Sequence, residues 1–155
     1  MKLTLQSGES WQYQLNQPEA DILLGLMKKF PFTELGPVQF SKTDADPKTA
    51  ERKKLLAESL AQHREELKGL AVNLLGADKW QKSDSGRLLT LNTEGREILL
   101  QILNDIRTGC WQALERPAEL RVPNPAKHPR QHALMALLHL AGGFEHHLIA
   151  PPGKE

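Results

Sequence analysis

The sequence predicts a mainly helical domain: about four helices around a buried central helix at 93–115, with two short β-hairpins, at 2–15 and 80–91, on its edges. Three observations predict it. From Thr93 to Glu115, Ile98, Leu99, Ile102, Leu103, Ile106, Cys110, Ala113 and Leu114 fall in one sector of a helix with about 3.6 residues per turn. Glu97, Gln101, Asn104, Asp105, Thr108, Gln112 and Glu115 fall in another. Farther upstream, Leu56, Leu60, His63, Leu67, Leu70 and Leu74 repeat at alternating spacings of four and three, a narrow seam of coiled-coil type. Two stretches alternate with period two around polar, Gly-containing turns.

The first of these is Lys2 to Leu15, turning at Ser7-Gly8-Glu9-Ser10, with Leu3, Leu5, Trp11, Tyr13 and Leu15 expected on the core side. A lone hairpin is marginal in water, so it must pack on something. Pro18 to Phe30 reads as the first helix, with Ile22, Leu23, Leu26, Met27 and Phe30 on one face and Pro31 ending it. Phe32 to Asp46 reads as a loop lying on the core. Asp46-Pro47 is a cap followed by a first-turn proline, and opens the long helix that carries the seam. Gly76-Ala77-Asp78 ends that helix, and the second hairpin turns at Ser83-Asp84-Ser85-Gly86 before Asn92 caps the central helix. Four prolines between Arg116 and Pro129 make an extended connection. Arg130 to Ala141 reads as the last helix, with Ala133, Leu134, Leu137, Leu138 and Ala141 inward. Gly142-Gly143 is expected to break it, leaving a single domain over 1–142 and a flexible tail over 143–155.

Composition narrows the function classes. Twenty basic and nineteen acidic residues leave a net charge of +1, which argues against a broad nucleic-acid surface. One cysteine rules out an internal disulfide and suits a reducing compartment. The first fifteen residues lack a signal-peptide apolar segment, and no apolar run approaches the ~18 residues of a membrane span. A cytoplasmic protein is the expectation.

The order of elements also resembles a family. A short β start leads to a helix opened by Pro18-Glu19-Ala20, a Phe30-Pro31 loop and a charged helix. Then come the strand Gly86-Arg87-Leu88-Leu89-Thr90-Leu91 and a helix bearing Leu103-Asn104-Asp105-Ile106-Arg107. Met1 to Leu114 in this order resembles a bacterial family of small domains of unknown function, best known in actinobacteria and often encoded beside the protease adaptor ClpS. The resemblance implies no activity and no cofactor. It implies that an adaptor role linked to proteolysis is worth testing. The prolines and histidines after Arg116 depart from it.

Two surfaces are candidates for binding a protein partner or a second copy of the chain: the seam Leu56, Leu60, Leu67, Leu70 and Leu74, and the strip Gln101, Asn104, Asp105, Thr108 with Arg107 at its edge. The seam is either an interface or part of the core, since a narrow stripe does not identify what covers it. Asp105 is either part of a polar groove or tied to an arginine such as Arg87 or Arg96. A rival reading places a metal or an enzyme site at Glu145, His146 and His147, whose side chains suit zinc-like ions. His132, His139 and His146 are spaced by seven, about 10.5 Å apart on a helix, too far for one ion to bridge. Cys110 lies on the apolar sector at the electronegative end of its helix, which disfavours a thiolate. No phosphate-binding glycine loop, HExxH, CxxC or GxSxG is present. A third reading, a DNA-binding regulator with a hairpin wing, lacks a helix rich in base-reading side chains. The expectation is a protein-interaction or adaptor module without catalytic activity, metal or cofactor.

Overall fold

A computed structural model describes residues 1–32 and 47–150. In chain order they form β1 (Lys2–Ser7), β2 (Ser10–Leu15), α1 (Gln17–Lys28), α2 (Pro47–Leu74), a short 3-10 turn (Ala77–Lys79), β3 (Trp80–Ser83), β4 (Gly86–Asn92), α3 (Thr93–Ala113) and α4 (Pro129–Ile149). Of the loop expected from Phe32 to Asp46, residues 33–46 lie outside the described residues, and so does the cap expected at Asp46.

The mainly helical class is corrected: the two hairpins are one four-stranded antiparallel sheet, in the order β1-β2-β4-β3, and the domain is mixed α/β. The join is β2 against β4, with Trp11 opposite Leu91 and Tyr13 opposite Leu89. Two separate hairpins would each leave a strand edge of unpaired N–H and C=O groups. Joining them satisfies those groups and makes one continuous apolar face. Tyr13, Leu15, Trp80, Leu89 and Leu91 on that face are buried.

One member of the expected inward set is reversed. The β1–β2 register slips between Leu3 and Leu5, so Leu3 faces Tyr13 while Leu5 comes opposite Gln12. A bulge of one residue moves every later side chain to the other face. Leu5 is accordingly exposed. At the other hairpin, Gly86 has φ +142°, and a Cβ there would sit 2.2 Å from the Leu15 carbonyl oxygen. Only glycine lets β4 begin this close to the end of β2.

The helices cover the apolar face of the sheet. Asn16 and Glu19 form a reciprocal capping box at the start of α1, and Glu19 also binds the Met1 ammonium. Burial opposes the Glu19 charge, but the ammonium and the Asn16 N–H outweigh it and hold the carboxyl below its ordinary value. The central helix is as expected: Ile98, Leu99, Ile102, Leu103, Ile106 and Cys110 are buried, and the Asn92 side chain caps it through the Gly95 N–H. Its end comes at Ala113, in a turn where the Arg116 N–H reaches the Trp111 carbonyl and the Glu115 N–H reaches that of Gln112.

The expected break at Gly142-Gly143 is also corrected. α4 runs unbroken from Pro129 to Ile149, and Ala141, Phe144 and Leu148 are buried. Each interior glycine costs a helix about 1 kcal/mol relative to alanine, but burying Phe144 and Leu148 contributes about 1.5–3 kcal/mol apiece, so packing wins over propensity. Residues 143–149 are thus part of the packed domain; 151–155 lie outside the described residues. Among the described residues, no helix is long and apolar enough to cross a membrane.

Candidate functional site

α2 is fixed at its C-terminal end. The Trp80 indole N–H donates to the Leu74 carbonyl at 2.9 Å, satisfying one of the carbonyls a helix end leaves open. Leu74 packs where α3 begins, so close that a Cβ on Gly95 would lie 3.2 Å from it. From there the seam runs outward with changing exposure: Leu74 5%, Leu67 7%, Leu60 45% and Leu56 50%. Leu70 and Leu55 are exposed as well. Leu67 and Leu74, candidates for partner binding, are therefore core; Leu56 and Leu60 are surface.

The seam and the polar strip converge where α2 parts from α3. A cleft of about 280 Å3 opens there, lined by Phe30, Leu60, His63, Arg64, Leu67, Gln101, Asn104, Asp105 and Thr108. Phe30 and Leu67 are buried and give it an apolar floor, while Gln101, Asn104 and Thr108 are exposed along its rim. Six of the ten sequence-predicted interaction residues thus line one place. Leu56 lies beyond its open end, Leu74 lies beneath the sheet end of α2, and Arg107 faces elsewhere.

Asp105 organises the cleft. One carboxylate oxygen accepts the Phe32 backbone N–H at 3.0 Å, and the other accepts from Arg64 at 2.9 Å. Its arginine is thus Arg64 of α2, not Arg87 or Arg96. The Phe32 ring lies over Gly109, where a Cβ would come within 2.3 Å of it. Asp105 and Gly109 together hold the segment after α1 against α3, and this sets the cleft wall. Arg64 is half-exposed, so the ion pair itself is screened by solvent.

Arg107 points to α4. It lies 3.2 Å from a carboxylate oxygen of Glu145 and donates to Asn104 at 3.2 Å. Glu145 is 7% exposed, and burial pushes its carboxyl above the ordinary value while Arg107 opposes the shift. Glu145 thus turns inward to an arginine, while His146 and His147 are exposed, their rings 6.0 Å apart. Burial, the Met1 ammonium and His146 push the His147 imidazole down, with Glu19 opposing. Among the described residues, no group of three or more His, Cys, Asp or Glu side chains converges as metal ligands. His132 is occupied by the Pro123 carbonyl, 2.9 Å from its Nδ1, and Cys110 is a buried thiol.

No family model, curated protein or solved structure matches the chain. What the surface can do is therefore argued from its own chemistry.

Sequence reasoning offered Arg96 only as a partner for Asp105 and missed what it binds. Its guanidinium reaches the Leu148 carbonyl near the end of α4 at 2.9 Å, and lies 5.3 Å from the centre of the Trp11 ring. A cation at a helix C-terminus and over an indole is favourable on both counts. Burial raises the Tyr13 hydroxyl pKa, and Arg96 opposes that shift. The signal available was an arginine in the first turn of an apolar helix, which marks a buried tie without naming its partner.

Proposed function

We propose that this protein is a small cytoplasmic interaction module, of adaptor type and without catalytic activity, that binds a protein through the exposed half of α2 and the adjoining cleft. One observation carries the reading: Leu56 and Leu60 stand half-exposed on a helix whose later seam leucines Leu67 and Leu74 are core. They lead into a cleft with an apolar floor and a polar rim. Apolar groups surrounded by polar ones, on a rigid element, are the anatomy of a protein interface. The chemistry at Asp105 and Glu145 supports the same reading, since both carboxylates are engaged by arginines of the chain. The resemblance of the Leu103–Arg107 helix to a family encoded beside a protease adaptor adds proteolysis machinery as the first partner to try.

The test compares capture by the tagged native protein and by a Leu56→Glu, Leu60→Glu variant from the cell of origin. Both positions are exposed, so circular dichroism should show the variant folded. Loss of a stoichiometric partner in the variant supports the reading. A partner retained in full by the variant removes it.

A further inference from the structure

We propose that the exposed half of α2 pairs, antiparallel, with the same stretch of a second copy of this chain, with Leu56 of each copy against Leu60 of the other. The proposal rests on the interaction reading of this face and names its occupant. α2 has 28 residues, and its buried residues, Leu67, Ala71 and Leu74, lie in its last third. At 1.5 Å per residue the stretch before Leu67 extends about 30 Å. Leu55, Leu56 and Leu60 are exposed on it.

Charge decides both partner and direction. The first part of the helix carries Lys48, Arg52, Lys53 and Lys54 against a single acid, Glu51. The next part carries Glu58, Glu65 and Glu66, and its one arginine, Arg64, is engaged by Asp105. A helix that is basic in one half and acidic in the next is complementary to itself when reversed. The heptad makes this specific. Arg52 and Glu66 lie fourteen residues apart, and each directly precedes a seam position, Lys53 and Leu67. They therefore occupy the same flank of the seam. With Leu56 opposite the second copy's Leu60, antiparallel packing sets Arg52 beside the second copy's Glu66, and two-fold symmetry forms the reciprocal pair. Parallel packing sets each of these residues beside the residue five positions on, Ala57 and Ala71, and gives no charge match. Lys53 opposite His63 places a polar layer on each side of the leucines, which fixes register at a cost in affinity.

Sedimentation equilibrium of the full-length chain over a range of concentrations tests this. The wild type should pass from the 17.4 kDa monomer to twice that mass. Arg52→Glu alone and Glu66→Arg alone should each weaken the dimer about tenfold, because each replaces two attractions by two repulsions. The double variant should return towards wild type, since both pairs re-form with the signs exchanged. A wild type that stays monomeric overturns the proposal, as does a double variant no better than the singles. If the chain is monomeric yet another protein is captured in a Leu56- and Leu60-dependent way, the interaction reading stands and the second copy is excluded. A dimer indifferent to Leu56→Glu, Leu60→Glu uses another face and overturns the proposal.

Discussion

The two halves of α2 share one seam and have opposite fates. At Leu67 and Leu74 it is core, locked by Trp80 and pressed against the start of α3, with Leu70 between them at the surface. From Leu56 to Leu60 the same periodicity faces outward. The spacing of leucines fixes which side of a helix is apolar, but not whether the domain extends far enough to cover that side. The point where the halves part is the cleft, and Asp105 sits at that point.

The largest expected effect sharpens the contrast directly. Leu74→Ala should cost about 2–5 kcal/mol of unfolding free energy, as deletion of a buried leucine does. Leu56→Ala should change it by no more than about 0.5 kcal/mol at dilutions where the chain is monomeric. Urea melts of both variants check this. Equal losses would mean that the outer half is packed in solution and that the contrast is wrong.

The junction comes next. Asp105→Ala removes both ties to the carboxylate and leaves the partly buried Phe32 N–H without its acceptor, at a cost of about 1–3 kcal/mol. Arg64→Ala removes only the half-exposed end of the pair, and should cost less than about 1 kcal/mol. A double-mutant cycle separates the two, because Asp105 keeps its bond to Phe32 when Arg64 is gone. If Arg64→Ala costs as much as Asp105→Ala, the cleft is held by α2 and not by the segment after α1.

Much of this was legible in the sequence, and the parts that were not share a cause. Each described α-helix was visible, because 3.6-residue periodicity and caps such as Asn92 are local. Both hairpins were visible too, since alternation around Gly8 and Gly86 is also local. Their fusion was not, because the register of Trp11 with Leu91 depends on residues eighty apart. Nor was the bulge that turns Leu5 outward, since an alternating pattern with one residue inserted still reads as alternating. The continuation of α4 through Gly142-Gly143 was hidden for a different reason. Propensity is read residue by residue, and the packing of Phe144 and Leu148 that overrides it is not. The same holds at the site. The strip Gln101, Asn104, Asp105 and Thr108 follows from periodicity, whereas the pairing of Asp105 with Arg64, 41 residues away, does not.

The smallest expected effect tests the reverse anomaly, a charge inside the domain set against leucines outside it. Glu145 is buried beneath Arg107, and its carboxyl is raised above the ordinary 4.5 chiefly by burial. A carboxyl of this kind holds its proton more tightly in the folded chain than in the unfolded one. Its contribution to stability is complete below that ordinary value and is lost as pH rises through the raised folded value. Glu145→Gln cannot titrate, so wild-type stability relative to this variant should fall as pH rises from the ordinary 4.5 through the raised folded value. Attraction to the half-exposed Arg107 offsets part of the loss, by at most about 1 kcal/mol. Urea melts of the two proteins at several pH values measure the difference. If wild type instead gains on the variant as pH rises, attraction to Arg107 exceeds the cost of burial. Glu145 would then be a stabilising tie between α3 and α4, and the contrast with the exposed leucines of α2 would be one of packing alone.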